Sequence, residues 1–159
     1  MAFPPDLFVF ERDAGFGAGL WRRVFATVWR ETPTAERLRT CGRFQDEVTR
    51  RCPDGFVALA VLPSQHAHLS PDVREAAEEL SRNPSPALAA IAQVITGTGF
   101  VAAATRMVAT GMSLLNRRTP TKWFDSVQHA AEWLSPRVAR IPDAQAVSAP
   151  EIVSAFAEL

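Results

Sequence analysis

The sequence predicts an α/β domain built on a mainly parallel sheet, and three observations carry that prediction. Short β-branched or aromatic runs alternate with amphipathic helical stretches, an order that requires crossover helices lying on sheet faces. Residues 56–62 are apolar on both faces, as a strand covered from both sides must be. Glycine, proline and Ser/Thr/Asp caps stand at the boundaries between the runs.

Taken in order, residues 7–10 open a strand after Pro4-Pro5. Gly15, Gly17 and Gly19 recur at every second position and read as a turn over residues 14–19. Residues 20–29 place Val24, Ala26 and Val28 on one face and Phe25, Thr27 and Trp29 on the other, which predicts a second strand in a hairpin with the first. Thr32-Pro33-Thr34 caps a helix, with Glu36 placed to meet the exposed amides. Leu38, Cys41, Phe44 (or Gln45) and Val48 then recur at three- and four-residue steps until Pro53-Asp54-Gly55 ends the helix. After the strand at 56–62, Ser70-Pro71-Asp72 starts a second helix with Val73, Ala76, Ala77 and Leu80 opposite Arg74, Glu75, Glu78 and Glu79. Asn83-Pro84 stops it.

Residues 88–95 form a strand by their length and by the Pro and Gly signals that bound them. Thr96-Gly97-Thr98-Gly99 turns the chain into a long helix over 100–116. Residues 121–124 are a brief strand, and Asp125-Ser126 caps a helix carrying Val127, Ala130, Ala131, Trp133 and Leu134. The predicted order is β-β-α-β-α-β-α-β-α, with the hairpin strand antiparallel at one edge. From Ser135 onward Pro136, Pro142 and Pro150 punctuate an Ala/Pro-rich stretch, followed by a small helix with Ile152, Val153, Phe156 and Leu159. Residues 1–134 are therefore expected as the domain, and 135–159 as a separable C-terminal arm.

Composition excludes several classes. With 159 residues, 47% hydrophobic content and 21% charge, the chain can bury a core and is not disordered. Seventeen Lys and Arg against seventeen Asp and Glu leave no basic footprint for nucleic acid. No apolar run reaches the roughly 18–20 residues needed to span a bilayer. The first residues lack a basic segment followed by an apolar one, so the expected location is cytoplasmic. Cys41 and Cys52 fall eleven apart on one predicted helix, on the order of 16 Å, beyond disulfide reach.

The motifs that could carry chemistry are sparse. Thr96, Gly97, Thr98 and Gly99 sit between a strand and a helix, where backbone amides attract anions. The third glycine of a dinucleotide fingerprint and the Lys-Ser/Thr of a phosphate loop are both missing, so a tight turn is the plainer reading. His66 and His68 offer two imidazoles with no third ligand at useful spacing. No paired acid and base or nucleophile elbow stands out. No cofactor, no metal and no catalysis are expected.

The predicted helix at 100–116 is more informative, because Arg106 is its only charged residue. A surface helix normally shows one apolar stripe and one charged face. Phe100, Ala104, Met107, Val108, Gly111, Met112 and Leu115 are therefore the candidate interaction residues. A second subunit, another protein, the C-terminal segment or an apolar ligand could cover them.

At this point the chain resembles the STAS-type domain of anti-sigma-factor antagonists, in particular its SpoIIAA-like branch. The resemblance rests on the element order over residues 7–134, on the step from Ile95 through Thr96-Gly97-Thr98-Gly99 into an apolar helix, and on the phrase running from Lys122-Trp123-Phe124-Asp125-Ser126 to Ala131-Glu132-Trp133-Leu134. That phrase is similar to the family's "vFdsveeAlaWL" ending. The resemblance implies a bacterial regulatory or scaffolding module that acts by protein contact. The branch's likeness to lipid-binding folds keeps an apolar ligand as the alternative. The family's phosphorylatable serine phrase is absent from Pro63 to Asp72, leaving Ser64 and Ser70 as loose substitutes. Ser70 also has a plainer role as a helix cap.

Overall fold

Phe16, Ala18 and Leu20 alternate with Gly17 and Gly19, and that period of two is a strand when the glycine face must lie flat against other chain. A computed structural model describes residues 4–63, 70–97 and 118–159. Its sheet has six strands: β1 (Leu7–Arg12), β2 (Phe16–Trp21), β3 (Val24–Trp29), β4 (Phe56–Pro63), β5 (Leu88–Thr96) and β6 (Thr121–Phe124). Their spatial order is the chain order, β1-β2-β3-β4-β5-β6. The helices are α1 (Ala35–Arg51), α2 (Pro71–Arg82), α3 (Val127–Val138) and α4 (Ala149–Phe156).

The architecture is α/β, with an antiparallel N-terminal part and a parallel remainder. The N-terminal part holds three strands where the sequence predicts two. Residues expected as a turn over 14–19 form most of β2, and the expected strand at 20–29 is broken at Arg22-Arg23. The true β1–β2 turn is made by Asp13, whose carboxylate accepts from the backbone N–H of Gly15 at 2.7 Å and of Phe16 at 2.9 Å. The β2–β3 turn is a two-residue loop with Arg22 at φ 53°, a left-handed conformation that such loops favour. Arg22 stacks on the Trp21 ring at 4.4 Å.

Strand order equal to chain order has a consequence for the layers. Every parallel crossover advances in the same direction, and right-handed crossovers then put their helices on the same face. Here α1 and α2 pack together on one face: Cys41, Val48 and Cys52 meet Phe16, Ala18, Leu20, Phe25, Phe56, Ala58 and Leu88. The opposite face carries Val24, Ala26, Val57, Leu59, Ala90, Ala92 and Val94, which need cover from elsewhere. That cover is α3 and the C-terminal segment, through Ala130, Leu134, Val138, Ile141, Val147, Ile152, Phe156 and Leu159.

The expected separable arm at 135–159 is thus corrected: Ile152 is 0% and Leu159 1% exposed, inside the same core as β4 and β5. α3 itself runs past Leu134 and Pro136 to Val138. Gly17 and Gly19 make room for this packing. A Cβ on Gly17 would collide with the main chain of Leu159, and one on Gly19 would lie 3.2 Å from the Leu159 side chain.

Candidate functional site

The carboxyl ends of β4, β5 and β6 share one edge of the sheet, the usual location for sites in parallel α/β folds. Pro63 pairs in register with Thr96, and Val94 with Phe124, so the carboxyl ends of these strands are neighbours. Of the predicted anion site, Thr96 closes β5 and Gly97 follows at φ 120°, a conformation suited to glycine. Both are exposed. Thr98 and Gly99 lie outside the described residues, as do Ser64, His66 and His68. Phe100, Ala104, Met107, Val108, Gly111, Met112 and Leu115 also fall outside them.

Ser70 stands at the N-cap position of α2, but its side chain makes no cap hydrogen bond. Its hydroxyl instead donates to the Asp72 carboxylate, and that bond leads the effects holding Asp72 below the usual carboxylate range. At the end of β6, Ser126 does cap: its Oγ accepts from the His129 backbone N–H at 3.2 Å. One turn on, His129 Nδ1 lies 2.9 Å from Asp125 Oδ1. The hydrogen bond to Asp125 raises the His129 pKa above its ordinary value, and the Asp125 charge adds to it. This imidazole–carboxylate pair is exposed, and the Ser126 hydroxyl is engaged as the cap.

A concavity of about 620 Å³ runs along the seam between α1 and α2. Leu38, Gly42, Ala76, Leu80 and Pro86 form its apolar part, and Arg39 and Glu79 pair across it at 3.5 Å. Thr49 donates to the Gln45 carbonyl and also lies 2.8 Å from the Ser85 hydroxyl, closing one end of the groove. The groove offers mixed surface without converging acid and base.

The two thiols are buried and unpaired by any disulfide. Burial, the leading effect, pushes the Cys41 thiol up to about 12, so it stays protonated. Cys52 is raised as well, chiefly by burial, and its Sγ lies 3.8 Å from the Arg22 carbonyl. Among the described residues no group of three or more His, Cys, Asp or Glu could hold a metal ion. Also among these residues, no helix is long and apolar enough to cross a membrane.

Both sheet edges are defended against strand addition. β1 carries a bulge between Val9 and Glu11 and ends in Glu11 and Arg12, while β6 is four residues long with Lys122 exposed. Phe8 on β1 is 42% exposed, and the Arg51 guanidinium sits 3.9 Å above its ring.

Sequence reasoning passed over the pairing of Asp125 with His129. Its signal was the i, i+4 spacing at a helix start. Comparison with family models, with curated proteins and with solved structures finds no match for this chain.

Proposed function

We propose that the protein is a non-catalytic regulatory or scaffolding module, STAS-like and SpoIIAA-like in kind, that works by contact with another protein or a second copy of itself. One observation carries the reading: residues 100–116 hold a single charge, Arg106, in a position where the chain's other crossovers are amphipathic. The segment joins β5 to β6, neighbouring parallel strands, the same kind of connection that α1 and α2 make. α1 and α2 turn Arg and Glu side chains to solvent, whereas 100–116 has almost none to turn. Gly111 and the alanines would let a facing backbone approach, and Met107, Met112 and Leu115 would fill the irregular space between.

The phrase beginning at Lys122 supports the STAS-like part of the reading by its position. It spans β6, the Ser126 cap and the first two turns of α3, the strand-to-helix step that the resemblance implies.

The test is to change Met107 and Met112 to Glu separately and to measure mass by light scattering and native mass spectrometry. One variant is expected to be a folded monomer while the parent chain is a dimer or larger. A monomeric parent protein rejects self-association and leaves a different protein as the partner. A co-purifying lipid in the native mass spectrum would replace protein contact by the apolar-ligand reading.

A further inference from the structure

The outer side of α3 and the adjoining strand β6 form a ladder of alternating cations and rings. Lys122 Nζ lies 5.3 Å from the Phe124 ring centroid. Phe124 and Trp133 are 5.7 Å apart, with their planes inclined at 53°. The Arg137 guanidinium stacks 3.7 Å from the Trp133 ring, and its Nη1 donates to the Trp133 carbonyl at 2.7 Å. Phe124, Trp133 and Arg137 are half-buried and Lys122 is exposed, so the ladder is fixed by packing and still reaches solvent.

Its electrostatics are incomplete. Among the described residues six other arginines pair with carboxylates, whereas neither Lys122 nor Arg137 does. Residues 1–3, 64–69 and 98–117 contain no Asp or Glu that could serve. Burial and the neighbouring Arg140 both work against the charge on Arg137, and the Trp133 ring and carbonyl favour it without neutralising it. A carboxylate supplied from outside would relieve that imbalance. Trp, Phe and Arg are also residue types enriched at protein contacts.

We infer that Lys122, Phe124, Trp133 and Arg137 form a second contact surface, one that receives a carboxylate-bearing segment of a partner protein. An acidic polypeptide fits better than a nucleic acid, because Trp, Phe and Arg are enriched at protein contacts and the chain has no basic excess for a phosphate backbone. The surface shares no residue with 100–116, so it stands independently of the reading proposed above.

The experiment titrates the 159-residue chain into a short fluorescein-labelled Glu-rich peptide at low ionic strength. A Gln-rich peptide of equal length and a single-stranded oligonucleotide serve as comparators. The Glu-rich peptide is expected to bind, to weaken with added salt, and to lose about tenfold in affinity with Arg137→Gln and with Lys122→Gln. Lys122 is exposed, so Lys122→Gln keeps the test valid even where Arg137→Gln disturbs α3. Absence of binding, binding indifferent to both substitutions, or tighter binding of the oligonucleotide each overturns the inference.

Discussion

The two faces of the sheet are covered by different means. The α1/α2 face is roofed by helices that the chain must make anyway in passing from one parallel strand to the next. The opposite face is roofed by α3 and residues 139–159, which follow the last strand and include a proline-punctuated, irregular stretch. Local composition foretells the first roof, because α1 and α2 are each an amphipathic helix between two strands. It misleads about the second, because Ala/Pro-rich texture resembles a linker while topology makes it an obligatory layer.

The largest effects expected follow from treating both roofs as core. Phe56→Ala on the α1/α2 face should cost about 3–5 kcal/mol, and Ile152→Ala on the other about 2–5 kcal/mol. Urea denaturation should show one cooperative transition for each variant. A separable arm would instead leave Ile152→Ala within about 0.5 kcal/mol of the parent protein.

Two glycines sharpen the comparison with effects of opposite sign. Gly17 lies under Leu159, and a Cβ there would also come within 2.9 Å of the Leu159 carbonyl carbon. Gly17→Ala should therefore destabilise by about 1–3 kcal/mol, since main chain must move. Gly42 lies inside α1, where a Cβ would meet Leu80 at 3.5 Å, an ordinary contact. Gly42→Ala should stabilise by about 0.5–1 kcal/mol through helix propensity and a stiffer unfolded chain. Thermal melting of the two variants checks both signs, and equal shifts would show that the two faces tolerate added bulk alike.

These contrasts locate what was legible in the sequence. α1 was legible because its apolar positions keep a helical period and Thr34 supplies the cap, accepting from the Arg37 N–H at 3.2 Å. β6 and the Ser126 cap were legible for the same local reasons. β2 was not, because alternating glycines signal a turn unless one knows that Leu159 packs on them from the far end of the chain. In the same way, Asp125 and Ser126 could be read as a helix start, and the ladder from Lys122 to Arg137 could not. Its Phe124–Trp133 contact joins a strand to a helix, and no single period links the two.

The smallest effect is electrostatic and belongs to the sheet's carboxyl edge. His129 and Asp125 form an exposed pair, with the Asp125 hydrogen bond as the main cause of a raised imidazole pKa and Glu132 adding slightly. A raised folded value means that the folded protein holds the proton more tightly than the unfolded chain does. The pair's contribution to stability is therefore fully present below the unfolded value near 6.5, and it is lost as pH rises through the higher folded value. An NMR titration of the His129 ring should give a midpoint above 6.5, and Asp125→Asn should bring it down toward that value. The melting temperature of the parent protein should exceed that of Asp125→Asn by more on the acid side of this window than on the alkaline side. Ser126 remains as the cap in both proteins, and the pH dependence of the difference reports the titration of His129. A midpoint at or below 6.5 in the parent protein would show that solvent screens the pair completely and that the Ser126 cap orders the start of α3 without its help.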